Sequence, residues 1–157
     1  PMFSYRLWNK ELLFKWKIQG YRNFAYIFAK KILEIYNEYF KDYVIVPVPP
    51  RPNKIKNQGW DQINDLMNFL RKISNIKIVN LLERTESVQQ KKLNRNQRLA
   101  NKESYVVKKK YLKTKLPSKI VIVDDIITTG VTLENCAIAL KNLGVNTVCA
   151  ITLFIAD

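Results

Sequence analysis

The sequence predicts an α/β fold, a parallel β-sheet with helices on both of its faces. Short, apolar, β-branched runs at 43–48, 77–82, 119–124 and 147–155 alternate with longer segments of helical periodicity. Strands apolar on both sides belong to parallel sheets covered by helices. The chain's 157 residues, 47% hydrophobic and 25% charged, fit one globular domain. A third observation is local: the run at 119–124 ends in two aspartates and leads straight into a helix start, the strand–turn–helix of an open α/β sheet.

Residues 3–19 are aromatic and basic with weak periodicity, Trp8, Phe14 and Trp16 lying among Lys10, Lys15 and Lys17. These aromatics read as a packed edge or as a platform for bases. From Arg22 to Phe40 the apolar positions Phe24, Ile27, Phe28, Ile32, Ile35 and Tyr39 recur at helical spacing. Tyr43 to Val48 is a buried strand stopped by Pro49 and Pro50. A second helix starts near Asp61, with Ile63, Leu66, Met67 and Leu70 on one face, and Lys77 to Leu82 is a second strand. Tyr105 to Val107 is a weak strand, Lys119 to Asp124 a strong one. The last helix carries Leu133, Cys136, Ala137, Leu140 and Leu143 on one face and Gly144 as its C′ residue, before a strand from Thr147 to Ile155.

Composition removes several classes of chemistry. Histidine is absent, which excludes Ser-His-Asp and Cys-His mechanisms and most zinc sites. The four glycines, Gly20, Gly59, Gly130 and Gly144, cannot write a dinucleotide fingerprint or a Walker A loop. Two cysteines, Cys136 and Cys149, read as buried reduced thiols. No signal-peptide pattern or 18-residue apolar run appears, so a soluble cytoplasmic protein is expected. Pro1 before Met2 points to a cloning remnant or a fragment of a longer protein. Lys and Arg total 27 against 13 acids, a net charge of +14. Twelve of these cations fall between Arg84 and Lys119, with only Glu86 and Glu103 to oppose them.

The segment richest in chemistry is Val121-Ile122-Val123-Asp124-Asp125-Ile126-Ile127-Thr128-Thr129-Gly130-Val131-Thr132-Leu133. The turn after the strand offers backbone N–H groups, a helix N-terminus, three hydroxyls and a glycine that admits a ligand oxygen, together a phosphate cradle. Adjacent carboxylates suit a vicinal diol, and phosphate plus diol describes a ribose 5-phosphate. The plain alternative is an Asp that caps the helix and threonines that fill a turn.

This segment resembles the phosphoribosyl-pyrophosphate (PRPP) signature of type I phosphoribosyltransferases. The resemblance implies that Asp124 and Asp125 hold the ribose hydroxyls and act as the catalytic pair, while Thr128, Thr129, Gly130, Val131 and Thr132 hold the 5-phosphate. Val46-Pro47-Val48-Pro49, then Gly59-Trp60-Asp61-Gln62, then Arg84, Gln90, Leu93, Arg98, Asn101 and Tyr105 are similar to the ComF (ComFC) branch, associated with natural competence and DNA uptake. Gln58 stands where that branch has an arginine, with Trp60 and Asp61 also altered, and its N-terminal four-cysteine zinc ribbon is missing, lost or cut away at Pro1. The implied fold is a parallel sheet with helices on both faces and a small N-terminal helical hood, residues 1–41 forming the hood and 42–157 the phosphoribosyltransferase-like domain, in one compact unit. The implied activity is phosphoribosyl transfer from PRPP with release of pyrophosphate, using Mg²⁺ bound mainly through PRPP; the acceptor is unread, and no metal site of the protein's own is expected. The alternatives are a nucleobase salvage enzyme and a single-stranded-DNA-binding competence accessory without transferase activity. The implied partners are PRPP, single-stranded DNA and a competence helicase, with no membrane insertion.

Two further candidates stay open. Arg51 follows the prolines at a strand end and offers either a bidentate fork to pyrophosphate or a solvent arginine on a turn. Arg84, Lys91, Lys92, Arg95 and Arg98 belong to a loop that closes over PRPP, to a nucleic-acid surface, or to a solvated lysine-rich face.

Overall fold

A computed structural model describes residues 3–4, 7–85 and 104–156. Its main sheet is wholly parallel, in the order β1 (Phe3–Ser4), β6 (Thr147–Ile155), β5 (Lys119–Ile127), β2 (Val44–Pro47). The expected α/β architecture is therefore what the chain adopts. The helices are α1 (Leu7–Lys17), α2 (Phe24–Tyr39), α3 (Lys54–Gln58), α4 (Gln62–Ile73) and α5 (Val131–Lys141). Among the described residues no helix is long and apolar enough to cross a membrane.

Alternation along β5 divides the core in two. Successive side chains of a strand point to opposite faces, so Val121 and Val123 pack with Trp16, Phe28, Ile32, Leu66 and Leu70 under α1, α2 and α4. Ile120 and Ile122 pack with Leu81, Leu82, Tyr105, Cys136 and Leu140 on the other face. Helices thus cover both faces, and β5 is buried from Ile120 to Asp125. Gly144 ends α5 as anticipated: at φ 89° it donates to the Lys141 carbonyl (3.0 Å), and Val145 donates to that of Leu140 (3.3 Å).

Four expectations are corrected. The strand expected at 77–82 makes only one parallel bridge, Ile78 with Ile45, and the chain then leaves the sheet. Leu82–Thr85 (β3) instead pairs antiparallel with Ser104–Val107 (β4) as a separate two-stranded sheet. The run is apolar because Leu81 and, inside the hairpin, Leu82 are buried in the core under it, an environment that periodicity cannot tell from a sheet interior. On α2 the buried face is Ala25, Phe28, Ala29, Ile32 and Tyr36, while Ile27 and Tyr39 are 58% and 65% exposed. Counting large apolar residues overlooked the two alanines that bring the helix close to its neighbours. Leu143 lies past the end of α5 and is exposed, and of the cysteines only Cys136 is fully buried. Neither β1 nor α3 was foreseen; two and five residues are too short to carry a period.

Candidate functional site

Beyond the carboxyl ends of β2 and β5 lies a cavity of about 430 Å³. Asp124, Asp125, Thr128, Thr132, Arg51 and Arg84 all line it, so residues far apart in sequence meet at one place. Thr129, Gly130 and Val131 continue the same turn without lining the cavity. Lys91, Lys92, Arg95 and Arg98, with Gln90, Leu93 and Asn101, lie outside the described residues. The hairpin of β3 and β4 nevertheless brings Arg84 and Tyr105 to the cavity as a cross-strand pair, the guanidinium 5.6 Å from the ring centre.

Strand alternation gives the two aspartates different surroundings. Asp124 follows Ile120 and Ile122 onto the face of the hairpin and α5. Its carboxyl is buried there, near Tyr105 and Cys136. Burial first, and then the charge of Asp125, push it up from 3.8 to about 7. Burial likewise pushes the Cys136 thiol up to about 12, which leaves it unreactive. Asp125 follows Val121 and Val123 onto the opposite face. Its Oδ2 accepts from Lys17 Nζ of α1 (2.7 Å) and from Gln62 Nε2 of α4 (2.6 Å).

These contacts continue outward. Lys54 Nζ of α3 donates to Gln62 Oε1 and to Asp61 Oδ2, the latter at 2.7 Å. Asp61 is the N-cap of α4 and accepts from Asn64 N at 2.9 Å. Lys17, Lys54 and Gln62 were not anticipated as site residues. Gln62 stood inside a recognised sequence box, but the lysines are two among 27 cations, and only the fold brings Lys17 across 108 positions to Asp125.

The Thr-Gly turn leaves the start of α5 without a side-chain cap. Gly130 is the N-cap of α5 with φ 79°, and a glycine cap brings no side chain to occupy the helix's first N–H groups. Thr128 and Thr129 are exposed, and Thr132 sits half-buried on the first turn. Of the N-terminal aromatics, Trp16 is fully buried, 4.8 Å from the Phe28 ring, and so belongs to the packed edge; Phe14 is half-exposed, and the side chain of Trp8 lies outside the described residues.

The raised carboxyl of Asp124 sets a stability trend. The native state holds a proton there between pH about 4 and 7 that the unfolded chain has released, so stability falls as pH rises through that window. The loss is up to about 1.4 kcal/mol per pH unit. Asp124→Asn, which keeps the acceptor for the Asp125 N–H, is expected to melt higher than wild type at pH 8 and to match it near pH 4. Equal melting temperatures at both pH values would show that the site does not strain this carboxyl.

Residues 21–157 match the phosphoribosyl transferase domain family. The chain is 27% identical over 143 residues to Competence protein ComFC of Streptococcus pneumoniae; the match takes in 91% of this chain but 61% of that protein's length. Both findings bear out the resemblance found in the sequence. Among solved structures, the chain is similar to a hypoxanthine phosphoribosyl transferase of Trypanosoma cruzi, with 13% identity and a TM-score of 0.47 over 85% of this chain and 64% of the other. It is also similar to a hypoxanthine-guanine phosphoribosyltransferase of Bacillus anthracis, with 12% identity and a TM-score of 0.45 over 85% and 68%.

Proposed function

The chain belongs to the phosphoribosyl transferase domain family, and from that premise we propose that it binds PRPP and transfers its phosphoribosyl group, releasing pyrophosphate. The observation that carries the proposal is the buried pair Asp124–Asp125 at the end of the central strand, sharing a cavity with Thr128 and Thr132 of the cradle turn. In this reading the aspartates accept the ribose hydroxyls, the turn holds the 5-phosphate, and Arg51 and Arg84 face the pyrophosphate. The hood expected at 1–41 would be α1 and α2, with Lys17 of α1 reaching the acidic pair. Cleavage at C1 passes through an oxocarbenium-like state, so the protein acts by positioning and electrostatics and needs no histidine.

The donor set fits Mg²⁺ that arrives with its substrate. Asp124 or Asp125 would lie beside an ion bound mainly to PRPP oxygens and water. Bound there, Mg²⁺ would neutralise charge on the departing pyrophosphate. Similarity to a competence protein supports a role in competence. Calorimetric titration of PRPP with and without Mg²⁺, then a pyrophosphate-release screen across nucleobases, tests the proposal; no binding in either condition would refute it.

A second reading, a single-stranded nucleic acid on the basic surface, has one observation in its favour. A groove of about 420 Å³ next to the cavity is lined by Arg51, Lys54, Lys56, Arg84 and Lys108 against Glu83 alone, with Lys109 and Lys110 exposed beyond it. Such binding is expected to weaken with salt at a log–log slope of roughly −3 to −4, about −0.7 for each phosphate contacted. Charge reversal at Lys108, Lys109 and Lys110 should weaken it and leave PRPP affinity alone. A slope near zero would exclude a nucleic-acid surface, and loss of PRPP binding would assign the lysines to the active site.

A further inference from the structure

Asp125 is held by groups from two directions, and one of them leads on to a third. Lys17 and Gln62 both donate to Oδ2, and the carbonyl end of the same Gln62 amide accepts from Lys54. Chemistry alone sets the amide's orientation. The ammonium can only donate and the carboxylate can only accept, so a flipped amide would oppose both neighbours. Lys54 is largely buried, 18% exposed, and its ammonium is shared between Gln62 and the 3%-exposed Asp61 carboxylate.

We propose that Lys54 is a positioning residue for the ribose hydroxyls: it orients the Gln62 amide, which in turn fixes the Asp125 carboxylate. The inference rests on the ribose assignment above and deepens it. The alternative role for a lysine just past Arg51 is direct contact with pyrophosphate, and the two roles differ in which ligand notices its loss. A residue that acts through Asp125 affects every ligand carrying the ribose diol. A pyrophosphate ligand affects PRPP and spares ribose 5-phosphate.

Removing Lys54 alone would strand the buried Asp61 carboxylate and threaten folding. The comparison is therefore made on Asp61→Asn, whose amide oxygen can keep the cap to Asn64 N. In that background, Lys54→Met is expected to weaken ribose 5-phosphate and PRPP by the same factor, about tenfold, read by calorimetry with Mg²⁺ present. Gln62→Met should produce a similar loss, and adding Lys54→Met to it should cost nothing more, because the relay is already cut. Losses that multiply in the combined variant would overturn the proposal. So would weakened PRPP with unchanged ribose 5-phosphate, or no change in either ligand. Unmutated protein that binds neither ligand would instead overturn the proposed function, and this inference with it.

Discussion

Changing Asp124 and Asp125 together to asparagine is expected to remove PRPP binding while leaving the chain folded. The two side chains end the central strand, and each is under a tenth exposed. As carboxylates they offer charged acceptors to two vicinal hydroxyls. Asparagine keeps the volume and one acceptor but replaces the second with a donor, which opposes a hydroxyl hydrogen. Each charge-assisted hydrogen bond lost is worth roughly 1.5–3 kcal/mol, so the pair should lower affinity at least a hundredfold. Removing the charge at Asp124 also relieves the cost of burying it, whereas Asp125→Asn leaves Lys17 facing a neutral amide. The two effects on stability oppose each other, and a melting curve beside the titration separates lost binding from lost fold. PRPP affinity equal to wild type in the folded double variant would refute the ribose assignment.

What the sequence disclosed and what it hid divide along one physical line. The site turn was legible because its parts are contiguous: strand, acidic pair, hydroxyls, glycine and helix start occupy 121–133 without interruption. The order of strands and helices was legible for the same reason, since each period lies within its own segment. The support of the site was not. Lys17 lies 108 residues from the carboxylate it touches, and nothing in a basic, weakly periodic N-terminal stretch distinguishes it from Lys10 or Lys15. The expected strand at 77–82 failed in the same way. Leu81 and Leu82 are buried as their type demands, but they pack with Tyr105 and Val107 of β4, reached only after 18 intervening residues. Alternation along β5 lies between these cases. It is readable as a period of two, and it implies that Asp124 and Asp125 face opposite layers. That the layers hold Tyr105 and Cys136 on one side, and Lys17 and Gln62 on the other, required the fold.

Gly130→Val is expected to abolish ribose 5-phosphate binding at a modest cost in stability. Gly130 caps α5 at φ 79°, where a β-branched residue is strained by roughly 1–2 kcal/mol. The protein itself has room for the side chain's first atom, since an added Cβ would meet only Ile127 Cδ1, at 3.8 Å. The fold should therefore survive with a lower melting temperature. Binding should not, because the branched side chain projects beside the turn where a phosphate oxygen approaches the backbone. Gly130→Ala separates the two causes. It carries most of the same backbone strain with one carbon in place of three, so its loss of stability should be close to that of valine. Its loss of ribose 5-phosphate affinity should be clearly smaller. A valine variant that binds ribose 5-phosphate as tightly as wild type would sink the cradle, whatever its melting temperature. Equal affinity losses in alanine and valine would assign the defect to the strained backbone rather than to the occupied space.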